Sequence, residues 1–353
     1  MADSAQAPRT IDSIIADLGR AFPEFAPTPL LDLSALATEL GIAQVLAKNE
    51  GRRPLGNFKS LGGTYGALRA LAGAAGTDVE GLLGTRRSGL PAVICASDGN
   101  HGLAVAAAAR LAGAQATIFL PESISPARVR RIQVQGARIV QVAGSYDDAV
   151  DEAARTASEG AGILVSDTVD RADDPIVCDV MAGYEVIAAE IREQVAGQGY
   201  SRPTHLFVQA GVGGLAGAIS PKLQNWMAAP ETIVVVEPER AACVGAALSR
   251  GEVVRLRGDV STAAEMLSCG EASVPAFEIL QRLGVQCVSV SESELADVPT
   301  FIGNHGGPRT TPSGGAGVAG LRKALETQPA RFGLTAQSRV LVVISERDLD
   351  EGA

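Results

Sequence analysis

The chain has 353 residues, 46% of them hydrophobic and 20% charged, and a formal net charge of -10 from 30 basic and 40 acidic side chains. That balance argues against a nucleic-acid partner, because phosphate backbones are held by clustered Lys and Arg, and aromatics, at 4%, are too few for a base-stacking surface. No apolar run reaches the roughly 20 residues that span a bilayer, and residues 1–9 lack the charged start and apolar stretch of a secretory leader. A cytoplasmic protein with no membrane or nucleic-acid partner is the expectation. The short basic cluster Arg128, Arg130, Arg131 reads as a solvated helix face. The five cysteines, Cys95, Cys178, Cys243, Cys269 and Cys287, have no C-x-x-C spacing and no zinc-type His pairing, so no metal is expected and most read as small buried hydrophobes.

In chain order, a loop at 51–57 leads into Phe58-Lys59-Ser60-Leu61-Gly62-Gly63. A lysine becomes an imine-forming nucleophile when its ammonium is desolvated, and Phe58 and Leu61 offer Lys59 an apolar setting. The Gly-rich stretch 78–91 has no periodicity and reads as an exposed connection. Strands are expected at 91–96, 116–120, 138–142, 163–166, 204–209, 232–237, 285–290 and 339–345. Helical segments include 99–112, 146–158, 178–195, 215–227 and 315–327. Strands apolar throughout, such as Thr232-Ile233-Val234-Val235-Val236, with helices between them predict parallel sheets covered on both faces, a doubly wound α/β fold.

Open sheets of this kind bind ligands beyond the carboxyl ends of their strands, and three chemically suggestive segments fall there. Ala96-Ser97-Asp98-Gly99-Asn100-His101-Gly102 follows the strand at 91–96. Asn100 can donate an amide hydrogen bond to a phenolate-type oxygen, Asp98 is either a general base or a helix N-cap, and His101 reads as structural. Asp167, after the strand at 163–166, is either a loop cap or a second acid/base group. Gly211-Val212-Gly213-Gly214-Leu215-Ala216-Gly217 follows the strand at 204–209 and opens a helix, so its backbone can approach an anion at a favourable dipole end. Its mid-chain position, after a candidate imine lysine, favours a single phosphate over a dinucleotide. Near the end, Thr311-Pro312-Ser313-Gly314 opens the last long helix; Ser313 is either an ordinary cap or a partner for a pyridine nitrogen.

Taken together these runs resemble the fold-type II pyridoxal-phosphate enzymes, the tryptophan synthase β-subunit and threonine dehydratase group. The resemblance extends in order through Pro27-Thr28-Pro29-Leu30, Lys48-Asn49-Glu50, Tyr146-Asp147-Asp148, Glu237-Pro238-Glu239 and Cys269-Gly270-Glu271. Asp98 before Gly-Asn-His-Gly makes the chain most similar to the diaminopropionate ammonia-lyase branch. The resemblance implies two doubly wound parallel-sheet domains with the active site between them: a larger cofactor-binding domain, 1–60 and 180–353, and a smaller inserted α/β domain, 61–179.

It further implies pyridoxal 5'-phosphate as cofactor, held by Phe58, Lys59, Asn100, Gly211, Val212, Gly213, Gly214, Leu215 and Ser313. The implied catalytic groups are Lys59, Asp98 and Asp167. Asp98 would take the α-proton of a D-substrate and Lys59 that of an L-substrate, while Asp167 would bind substrate or protonate the leaving amine. The implied reaction is β-elimination on a small amino acid, 2,3-diaminopropionate first, giving pyruvate and ammonia, in a homodimer. Cys243 and Cys269 match a pair that can lie close enough to bond in that family. Glu265 and Met266 stand where the family has small residues, and Glu265 is a candidate partner for an amine-bearing group. The alternatives are a serine, threonine or hydroxyaspartate dehydratase or racemase, a non-catalytic binding protein, or a nicotinamide oxidoreductase using Glu237 as its ribose acid.

Overall fold

The computed structural model describes residues 10–97 and 99–348. Ten strands occur among them: β1 (Leu30–Asp32), β2 (Gln44–Asn49), β3 (Val93–Ala96), β4 (Ala116–Pro121), β5 (Arg138–Val142), β6 (Ile163–Leu164), β7 (His205–Gln209), β8 (Thr232–Pro238), β9 (Gln286–Val290) and β10 (Arg339–Ile344). The chain divides into two units, one built from the residues up to Ala26 with Lys59–Val186, the other from Pro27–Phe58 with the chain from Ile187 onward.

In the smaller unit the sheet order is β5-β4-β3-β6, parallel throughout. Ile94, Ala96 and Phe119 pack there against Ala149 and Ala153 of the helix Tyr146–Ser158. The larger unit has the order β1-β2-β10-β7-β8-β9, with only β1 antiparallel to its neighbour. Its central strands are buried along their length, as expected of strands covered on both faces. All eight expected strands are present, and the doubly wound α/β fold is the one the pattern predicts.

The boundaries differ from the expected ones at the N-terminus. The helix Ile11–Ala21 buries Ile14, Leu18 and Ala21 against the helices Lys59–Ala74 and Val79–Gly84, within the smaller unit, and Arg20 bonds Glu80 at 2.6 Å. The stretch 78–91 is likewise not simply a connection. Asp78 accepts the Gly81 N–H at 2.8 Å and caps the helix Val79–Gly84, which buries Val79 and Leu82; Gly81 and Gly84 had diluted its periodicity. Arg128 of the expected solvated face is 4% exposed, its aliphatic stem lying where a Cβ on Gly99 would be 3.1 Å away.

Glycine spacing explains how the lysine-bearing helix is held. Gly62 and Gly66 of Lys59–Ala74 face the helix Pro175–Gly197, and a Cβ on Gly183 would lie 2.6 Å from the Gly62 Cα. A methyl at Gly62 would meet the Val180 carbonyl and the Tyr184 ring. Gly62→Ala is therefore expected to destabilise the smaller unit by about 1–3 kcal/mol, because backbone cannot yield as a flexible side chain does. Denaturant unfolding measures it, and an unchanged midpoint would refute the close crossing.

Candidate active site

The smaller unit holds Lys59, Asn100 and Asp167. Lys59 is the first residue of its helix, Leu61 beside it is fully buried, and the ammonium is ion-paired with Asp167. Asp167, 7% exposed, also accepts the Tyr146 hydroxyl at 3.0 Å. It is thus neither a loop cap nor solvated. Burial by itself would raise the Asp167 carboxyl, but the Lys59 charge, helped by His101 and the Tyr146 hydrogen bond, holds it well below the usual carboxylate range.

Asn100 is buried at the start of the helix Asn100–Ala112, which packs on the lysine-bearing helix. The entry to that helix is satisfied by Ser97, whose Oγ accepts the Gly99 N–H at 2.8 Å and the Gly102 N–H at 2.7 Å. Asp98 lies outside the described residues. His101 has the structural part expected: it is buried, its Nε2 is 2.9 Å from the Val165 carbonyl, and burial lowers its pKa.

The larger unit holds Phe58, the glycine turn and Ser313. Phe58 is half-buried, and its N–H donates to the Ser345 carbonyl at 3.0 Å. Gly213 caps the helix Gly214–Leu223 at φ +95°, a left-handed conformation that a side chain rarely adopts. A Cβ on Gly211 would stand 2.9 Å from Cys269 Sγ. Val212 and Leu215 are buried, and the Val212 carbonyl accepts the Ser273 N–H at 2.9 Å. The first-turn N–H groups of this helix have no intrahelical partner and carry the positive end of the dipole, which suits one phosphate.

Ser313 is not the helix cap. Thr311 caps Pro312–Thr327, accepting the Gly314 N–H at 3.0 Å. Ser313 is buried, and its Oγ accepts the Met266 N–H at 3.1 Å. That leaves its single proton to be donated, as an unprotonated pyridine nitrogen requires. The Met266 carbonyl lies 3.4 Å from the Cβ position of Gly211, so one residue links Ser313 to the glycine turn. Gln209, at the end of β7, supports both: its amide nitrogen reaches the carbonyls of Ser313 (3.2 Å), Gly314 (3.0 Å) and Val343 (3.1 Å). The residues present fit the parts of a phosphorylated pyridine aldehyde.

Several partners were not foreseen from sequence. Tyr146 belongs to the run Tyr146-Asp147-Asp148 of the family resemblance, which is its one signal in the sequence. Met266 and Gln209 act through long-range contacts that no local motif encodes. Glu265 is exposed in the short turn Glu265–Leu267. Cys243 and Cys269 both lie against Gly211, with Cys243 Sγ donating to its carbonyl oxygen at 3.3 Å.

Glu237 is committed internally, accepting the N–H groups of Val244 at 2.7 Å and Gly245 at 2.8 Å. Both oxygens face the helix Cys243–Arg250, which removes it as a ribose ligand. Burial pushes its carboxyl up to about 7, although the two amides pull it back. The folded value lies above the unfolded one, so the protonated form favours folding. Its contribution is complete below about pH 4.3, declines as pH rises to about 7, and is flat beyond. Measured against Glu237→Gln, the wild type should lose about 3–4 kcal/mol across that window; parallel pH profiles would contradict this.

The sheet order, the lysine at a helix start and the glycine turn after β7 define an α/β enzyme class that handles a phosphorylated aldehyde. The model of the pyridoxal-phosphate dependent enzyme family matches residues 21–346, and the chain belongs to that family. Diaminopropionate ammonia-lyase of Escherichia coli (strain K12) is 32% identical over 359 residues, covering 95% of this chain and 89% of that protein. The crystal structure of the holo form of the E. coli lyase superposes with a TM-score of 0.86 at 28% identity, covering 99% of this chain and 92% of the other. Its complex with D-serine gives 0.86 at 29%, covering 99% and 91%. Among the described residues no helix is long and apolar enough to cross a membrane.

Proposed function

We propose that this protein is a pyridoxal 5'-phosphate-dependent ammonia-lyase that eliminates the β-amino group of 2,3-diaminopropionate as one ammonia, the remaining enamine then taking up water to give pyruvate and a second ammonia. The observation that carries the reading is the Lys59 amine set against a buried Asp167 in a chain of this family. Lys59 binds the cofactor's aldehyde carbon; the glycine turn 211–215 takes its phosphate, and Ser313 donates to its ring nitrogen. Asn100 donates to its phenolic oxygen, and Phe58 flanks it. The bound ring supplies a sink for the electron pair released at the substrate α-carbon.

This chain's residues then move the protons. Lys59 takes the α-proton of the L-isomer, and Asp98 that of the D-isomer. Asp167 passes a proton to the departing β-amine. Its burial makes that step reasonable: once Lys59 no longer presents an ammonium, burial raises the proton affinity of the carboxyl against the remaining pull of His101 and the Tyr146 hydrogen bond.

Assays for pyruvate and ammonia with 2,3-diaminopropionate, serine, threonine and hydroxyaspartate test the substrate. Faster turnover of a hydroxy amino acid would transfer the assignment to a dehydratase while sparing the residue roles. Asp98→Asn should abolish turnover of the D-isomer alone; equal loss on both isomers would remove its role. A homodimer in the cytoplasm belongs to the same reading, and light scattering on the holoenzyme measures the dimer.

A further inference from the structure

The larger unit also contains a cavity of about 600 Å³, and the glycine turn and Ser313 are not among its walls. It runs along the helix Cys243–Arg250 and β9, within the range of roughly 300–1,000 Å³ typical of small-molecule sites. Arg240, Arg257, Lys323 and Arg331 line it, against the single carboxylate of Glu239. Lys323 is paired with Glu294 at 2.8 Å, and Arg240 acts on Asp259. Among the described residues, Arg257 and Arg331 form no ion pair. Arg331 is nonetheless oriented: it donates to the Cys287 carbonyl at 3.2 Å and stands 4.9 Å over the Phe332 ring. In a chain of net charge -10, such a concentration of guanidinium groups around a concave site focuses potential for an anion.

The helix that forms one wall also touches the glycine turn. Gly245, Ala246 and Ser249 face the cavity. Just before them in the same helix, Val244 Cγ2 lies 3.2 Å from the Cβ position of Gly213, and Cys243 Sγ meets the Gly211 carbonyl at 3.3 Å. We propose that this cavity is a second small-molecule site, which takes a small dianion between its arginines and acts on the glycine turn through the helix Cys243–Arg250. The dianion is a phosphate ester or a dicarboxylate, since both accept paired guanidinium hydrogen bonds. Binding there does not depend on the reaction proposed above; only its kinetic effect rests on that reading.

Calorimetric titration of the cofactor-loaded enzyme with inorganic phosphate, and separately with malonate, tests the site at low ionic strength, where the cofactor already fills the phosphate loop. One anion per chain is expected, with affinity falling at least about tenfold in the double variant Arg257→Gln, Arg331→Gln. Binding of phosphate alone would indicate a phosphate ester, and binding of malonate a dicarboxylate. Arg110→Gln, exposed on another helix, should change nothing. Saturating anion should shift kcat or KM of the wild type and leave the double variant unmoved. The proposal fails if neither anion binds, if the double variant binds equally well, or if arginine-dependent binding leaves both kinetic constants unchanged. It also fails if the double variant alters only the oligomeric mass, which would make these arginines a contact between copies.

Discussion

Replacing Lys59 by alanine or by arginine is expected to lower kcat at least 10³- to 10⁴-fold, the scale of losing a positioned proton-transfer group, with the covalent hold on the cofactor lost as well. The two variants separate chemistry from charge. Arginine keeps a cation beside Asp167 but cannot form the bond to the cofactor aldehyde, whereas alanine leaves the buried carboxylate without its ion pair. Lys59→Ala should therefore raise the Asp167 carboxyl toward or above the usual range, since burial would then act with less opposition. Borohydride treatment followed by peptide mass should find the pyridoxyl group on Lys59 in the wild type and nowhere in either variant. Retention of more than about a tenth of turnover in Lys59→Arg would contradict the assignment.

The second large effect concerns stability. In the larger unit Lys48, Glu50, Arg53 and Glu190 form a buried network of two cations and two anions, all 5% exposed or less at the side chain. Glu190 accepts two hydrogen bonds from Arg53, at 2.8 and 2.7 Å, lies 2.6 Å from Lys48 Nζ, and accepts the Thr28 N–H at 3.2 Å. Glu190→Gln removes one charge and leaves a buried cation uncompensated, which should cost about 3–5 kcal/mol. Unfolding of this unit in urea measures it, and a loss under about 1 kcal/mol, typical of exposed pairs, would mean that the network is solvated.

The network also bears on the site through chain connectivity. It fixes residues 50–53, and the backbone then passes through Leu55 at φ +63° before Asn57, whose amide donates to the Leu55 carbonyl at 3.0 Å. Phe58 is tied to Ser345, and Lys59 follows. Acid should loosen this anchor in a defined window. Burial would raise the Glu50 carboxyl, but Arg53 and Lys48 hold it below its ordinary value. Its contribution is therefore present above about pH 4.3 and is lost as pH falls through the folded value.

The strand–helix alternation, the parallel sheets, the lysine, the glycine turn and the family are legible in the amino-acid order alone, because they are written in local periodicity and in glycines whose backbone freedom has no substitute. That order also marks Asp167 and Ser313, but leaves each with two readings. Long-range packing removes the capping reading of each. Asp167 meets Lys59 across a sequence separation of 108, and Ser313 is freed from capping because Thr311 takes that place and Met266 supplies its donor. Lys48 and Glu190, ordinary surface residues by type, become a buried pair. The helix at 11–21 joins the smaller unit because its apolar face packs there. Contacts of this kind depend on which distant segments fold against each other, and burial then sets the charge states; neither is encoded in any window of adjacent residues.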